Sequence, residues 1–212
     1  MKLTAHIISI ICHPLLMLTY GLLFMMWAEP YQFGGATGND MSLYMIGSIV
    51  GISCFFPAFS LLLMRGLGMV DSLQLKDREE RIIPYVSTGI FYLWLSVNIY
   101  KTTIFPYIFE VFAIGATIAL FAAFFMNNFT KVSLHTVGVG GFLAMVVFTM
   151  VNTSVPLYDL RPILLGAILL AGLVGTARLI LKAHVPQEIY GGYLVGVFGQ
   201  FAAIFLLRML TS

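Results

Sequence analysis

The chain has 212 residues, of which 60% are hydrophobic and only 9% charged, against roughly 25% charged in a soluble domain. Its 11 Lys and Arg against 9 Asp and Glu give a formal charge of +2, which excludes the basic footprint of a nucleic-acid binder and the acidic tail of a disordered partner segment. The apolar residues fall in blocks of about 20, the length a helix needs to cross a bilayer, so the chain reads as an integral membrane protein.

The first block starts directly after Met1-Lys2. It is longer than a signal peptide's core and shows no small-residue cleavage site, so it is expected to remain as a first span. The predicted spans are 5–28, 41–64, 85–102, 107–127, 136–153, 162–181 and 188–209. These runs are continuous rather than alternating, which favours an all-α bundle of six or seven spans over a β-barrel. The loops are short, so residues 1–212 read as a single integral membrane domain without internal repeats. In span one, His13-Pro14 predicts a kink, and His6 and His13 read as polar spots without further duty. Gly47 and Gly51, like Gly192 and Gly196, have the spacing that lets helices pack closely, here expected within one bundle. Cys12 and Cys54 sit inside apolar blocks, which makes a disulfide framework improbable. Trp27, Trp94 and the tyrosines read as belt or core residues, and Glu110 as an interfacial carboxylate on the far face.

Ionisable residues are costly in a membrane, so their placement carries information. With seven spans, the loops after spans two, four and six open on one side. They hold Lys76 to Arg81, then Lys131 to His135, then Arg178 through Lys182 and His184 to Glu188. Two of the four histidines therefore share a face with most of the bases, the pattern of an anionic-substrate site. Such a set suits phosphoryl transfer. Arg and Lys hold the equatorial phosphate oxygens, and the start of span five after Ser133 offers backbone N–H groups to an anion. One histidine can attack phosphorus while a second moves the proton of the leaving alkoxide. Glu188, four residues after His184 with Pro186 opening span seven, is placed to fold back on that histidine and fix its tautomer. Taken singly, the charge run is an ordinary solvated loop and each histidine an interfacial polar residue; the joint spacing makes the case.

Three short motifs occur in order: Lys76, six residues, Ile83-Pro84; then Val132-Ser133-Leu134-His135; then Ala177-Arg178, five residues, His184, three residues, Glu188. Over residues 76–196 this resembles the type 2 phosphatidic acid phosphatase family, which includes lipid phosphate phosphatases and vanadium haloperoxidases. That family's motifs read Lys-x6-Arg-Pro, Pro-Ser-Gly-His and Ser-Arg-x5-His-x3-Asp. The resemblance implies His184 as nucleophile, His135 as general acid and base, and Glu188 as the orienting carboxylate. It also implies phosphate binding by Lys76, Ser133, the backbone N–H of Leu134 and Arg178, with no metal or other cofactor. Four positions depart: Ile83 for arginine, Leu134 for glycine, Ala177 for serine and Glu188 for aspartate. Arg81 stands two residues before Ile83, a rotation of about 200° on a helix, so Lys131 is expected to supply the missing charge ahead of Arg81.

The activity the resemblance implies is hydrolysis of a phosphomonoester or pyrophosphate on a membrane lipid through a phosphohistidine. Its substrate classes are polyprenyl pyrophosphate, phosphatidic acid, phosphatidylglycerol phosphate and phosphorylated lipid A. The lipid tail would enter laterally between spans. The altered first motif supports a rival expectation, a non-catalytic lipid-binding or transport protein on the same scaffold. Eight of the 11 bases (Lys2, Arg65, Lys76, Arg78, Arg81, Lys131, Arg178, Lys182) lie on the motif face. The positive-inside rule would make that face cytoplasmic, whereas the resemblance implies a site on the outer face of a plasma or inner membrane, and the outward placement is the expectation adopted.

Overall fold

The computed structural model describes residues 1–33, 40–72, 79–153 and 158–211. Lys76 lies outside the described residues. Two half-length helices, α1 (Lys2–Ile11) and α2 (Met17–Ala28), make the first span; α3 (Asp40–Val50) and α4 (Phe56–Gly66) make the second. One helix each then follows: α5 (Ile82–Lys101), α6 (Tyr107–Met126), α7 (Leu134–Asn152), α8 (Arg161–Ile180) and α9 (Pro186–Thr211). The seven spans are each long and apolar enough to cross a membrane, and the described residues contain no strand. The chain is an all-α, multi-pass membrane protein. Its outer surface fits lipid: Leu165, Leu169 and Leu173 of α8 and Phe198, Phe201 and Phe205 of α9 are exposed.

The break in span one falls at His13-Pro14, where a 3₁₀ turn (Pro14–Leu16) separates α1 from α2. Proline removes a backbone donor and cannot continue the ladder. The groups freed by the break find partners: Nδ1 of His13 accepts the N–H of Leu15 at 3.4 Å, and the Tyr20 hydroxyl donates to the Ile11 carbonyl at 2.8 Å. Span two bends differently. A π-helical turn (Gly51–Phe55) precedes Pro57, with the N–H of Phe56 reaching the Gly51 carbonyl five residues back. The wider turn makes room where the proline ring would clash with the preceding turn.

α9 packs against both α6 and α7, and small residues set the approach. A Cβ on Gly196 would collide with the Val137 carbonyl, and one on Gly192 would lie 2.8 Å from the Ser133 carbonyl. This pair packs inside the bundle as its spacing predicts. Gly47 and Gly51 do not: a Cβ on either would meet nothing within 4 Å. The consequence for the site is that α7 holds both α9 and α8, with α1 laid against α8.

Candidate active site

The third motif is built by a helix end and a helix start. α8 closes with the N–H of Ala183 on the Arg178 carbonyl (3.1 Å) and that of Lys182 on the Leu179 carbonyl (2.9 Å). This is the Schellman arrangement, which requires a left-handed residue and usually takes glycine. Here Lys182 holds it, at φ 51°. The reversal delivers His184 just ahead of α9, where Pro186 occupies the first helical position. Glu188, on the first turn, folds back so that Oε2 lies 2.7 Å from Nδ1 of His184 and accepts the N–H of Val185 at 3.3 Å. The second contact is half of a capping box. One carboxylate oxygen therefore caps α9 and orients the histidine. Because the carboxylate only accepts, Nδ1 carries the proton and Nε2 is the free, basic nitrogen.

The His184 side chain is only 5% exposed. Burial pushes its imidazole below the ordinary value; the hydrogen bond to Glu188 pulls the other way, and Arg178 and then Arg81 add to the lowering. A histidine lowered in this way is mostly neutral at pH 7, the form a nucleophilic role would require.

His135 stands on the first turn of α7. Its Nε2 lies 3.0 Å from the Ser9 carbonyl of α1. A carbonyl accepts only, so Nε2 carries the proton and Nδ1 is the position left for chemistry. Ser9 also ties down the third member: its hydroxyl accepts from Nη1 of Arg178 at 3.3 Å. The Nε of Arg178 is buried without a hydrogen-bond partner among the described residues, so part of the guanidinium's donor set is uncommitted.

These groups share a cavity of about 230 Å³. Its charged end is lined by Arg81, His135, Arg178 and His184, with His13 beside them. The His13 and His135 rings meet edge to face, centroids 5.5 Å apart. The remainder is mostly apolar, with Leu18, Leu61, Tyr85, Phe112, Leu120 and Val137 among its walls. A second, shallower cleft of about 350 Å³ lies on the other side of His184 and Glu188 and is lined by Lys131 and Lys182.

The structure thus brings together His135, Arg178 and His184 as the motif spacing predicts, with Glu188 on His184. It distributes the other expected residues differently. Arg81 ends a 3₁₀ turn (Glu79–Arg81) rather than an α-helical one; it lines the cavity with both histidines, whereas Lys131, expected ahead of it, lines the outer cleft. Ser133 is fully buried and its hydroxyl has no hydrogen-bond partner among the described residues. Its N–H donates to the Glu188 carbonyl at 3.2 Å. It therefore ties α7 to α9 and does not line the cavity, while its neighbours Leu134 and His135 do.

Three residues escaped the sequence reading: Ser9, His13 and Gln200, all from outside the motifs. Ser9 acts partly through its backbone, which leaves no trace in the sequence. His13 had a visible signal, a histidine beside the predicted kink. Gln200 had one too, an amide in the middle of an apolar span. Among the described residues no group of three or more His, Cys, Asp or Glu could hold a metal ion. Compared with known proteins, the chain matches no family model, no curated sequence and no solved structure.

Proposed function

We propose that this chain is a metal-independent membrane lipid phosphatase of the type 2 phosphatidic acid phosphatase kind, cleaving a phosphomonoester or pyrophosphate from a lipid. The observation that carries the reading is His184, held by Glu188, opening with Arg178 and His135 into a cavity that is charged at one end and apolar beyond. That polarity matches an amphiphile with an anionic headgroup, and the charged end matches a dianion that must be held while it is attacked.

Nε2 of His184 attacks phosphorus and the P–O bond to the lipid breaks, while Nδ1 of His135 takes the proton of the bound phosphate monoester and passes it to the leaving alkoxide. Glu188 stabilises the cation that forms on the attacking ring. Arg178 and Arg81 hold the equatorial oxygens as charge spreads over them. Water then attacks the phosphohistidine, breaking the N–P bond and giving a proton to Nδ1 of His135, which passes it to the departing inorganic phosphate. The sum is lipid phosphate plus water to lipid alcohol plus phosphate, with both histidines restored. The tail would lie in the apolar part of the cavity, reached laterally between spans, and the site would face outward from a plasma or inner membrane.

The test is phosphate release by purified protein from a panel of lipid phosphates and pyrophosphates, with and without EDTA. Release that survives EDTA, is inhibited by vanadate and vanishes in His184→Ala supports the reading. Lipid binding without release would return the protein to the non-catalytic alternative.

A further inference from the structure

Deeper in the same cavity, α9 presents a polar group that the proposed chemistry does not use. Gln200 is fully buried, lines the cavity, and neither atom of its side-chain amide has a hydrogen-bond partner among the described residues. Space has been made for it on both sides. A Cβ on Gly115 of α6 would lie 2.5 Å from its Nε2, and one on Gly141 of α7 would lie 3.2 Å away. A buried amide left unpaired costs about 1–3 kcal/mol, and hydrocarbon around the bundle offers no partner. A leucine would fill this position without that cost.

The depth of the amide indicates what it meets. Gly141 is six residues beyond His135 on α7, about 9 Å along the axis. In a diacylglycerol phosphate the ester carbonyls stand five to six bonds from phosphorus, roughly 6–7 Å in an extended chain. A polyprenyl chain has only carbon at that depth. We infer that Gln200 donates its side-chain N–H to an ester carbonyl of an acyl lipid phosphate whose headgroup occupies the charged end. This rests on the phosphate-site reading above and narrows the substrate to acyl-ester lipids over polyprenyl ones. A site built around a hydrogen bond discriminates against the analogue that lacks it, because its own buried group is then left unpaired.

The experiment uses full-length protein with dioleoylglycerol phosphate, its ether-linked dialkyl counterpart, which lacks only the carbonyls, and a polyprenyl phosphate of similar length. Binding is read by lipid-dependent thermal stabilisation and turnover by phosphate release. The parent should favour the ester over the ether and polyprenyl lipids by about 10-fold or more, and Gln200→Leu should bring the ratio near one. Gln200→Met, which keeps the side-chain length without the amide, should do the same. Equal binding of ester and ether lipids by the parent, no binding of either, or a preference that survives both substitutions would overturn the inference. Ester-selective binding without phosphate release sinks the catalytic reading and leaves this one standing; equal release from both lipids does the reverse.

Discussion

The Ser9 carbonyl lies 3.0 Å from Nε2 of His135, joining residues 126 positions apart in the chain. The Ser9 hydroxyl meets Arg178 at 3.3 Å in the same place. One residue of the first span thus positions both the proposed proton carrier and a proposed phosphate clamp. Ser9→Ala removes the second contact and keeps the first, since the carbonyl remains. We expect kcat/KM to fall several-fold, about 1 kcal/mol for one such bond, against 100-fold or more for Arg178→Ala. Equal losses in the two variants would show that Ser9 does more than orient the guanidinium.

Glu188→Gln separates charge from shape at the His184 pair. The amide can present a donor where the imidazole needs an acceptor, so kcat should fall about 100-fold or more, by analogy with lost triad carboxylates. Glu188→Asp retains the charge and should lose less. Parent-like kcat in Glu188→Gln would leave the carboxylate with only its capping role.

The pH profile follows from the same pair. The His184 value is lowered from 6.5, chiefly by burial, so its neutral form persists below that pH and is lost only as pH falls through the lowered value. The acid limb of kcat/KM should therefore lie below pH 6.5. Glu188→Gln removes the group that pulls the value back up, so the limb should move further down. Movement upward in that variant would contradict the sign of the interaction.

Helical geometry favours Lys131 over Arg81 as the second phosphate-binding base, whereas the structure lines the cavity with Arg81 and the outer cleft with Lys131. Arg81→Ala should cost about 10-fold more in kcat/KM than Lys131→Ala, about 1.4 kcal/mol. Kinetics on the two variants at matched detergent extraction decide the order, and a larger loss in Lys131→Ala would place the phosphate in the outer cleft.

Lys182 holds a left-handed position at φ 51°, which costs a side-chain-bearing residue roughly 1–2 kcal/mol relative to glycine. Lys182→Gly should raise the thermal midpoint by a few degrees, while Lys182→Ala should not. Equal midpoints for Gly and Ala would mean that the loop relaxes once the lysine side chain is gone.

The spans were legible because hydrocarbon imposes length and polarity together, and the kink at His13-Pro14 because proline removes a donor wherever it stands. The histidine pair was legible through spacing. Arg81 was not, because a 3₁₀ turn and an α turn read alike over three residues yet aim a side chain differently. Lys182 was not, because lysine gives no hint of a left-handed backbone. The two glycine pairs have identical spacing and opposite surroundings: spacing states that a helix can be approached, and only the packing of α9 on α7 supplies the approach.

The broken first span has a consequence for how the protein is made. At about 1.5 Å per residue, the 10 residues of α1 and the 12 of α2 reach about 15 and 18 Å, each short of a hydrocarbon core of about 30 Å. α1 rests against α8, which is synthesised some 150 residues after it. Until α8 has entered the membrane, Ser9 has neither Arg178 nor a docked helix to hold it against His135. The contacts that aim the two side chains therefore form only when nearly the whole chain is present, and a ribosome-released fragment ending before α8 would carry His135 without its orienting carbonyl in place. The arrangement proposed for catalysis is therefore complete only late in biogenesis.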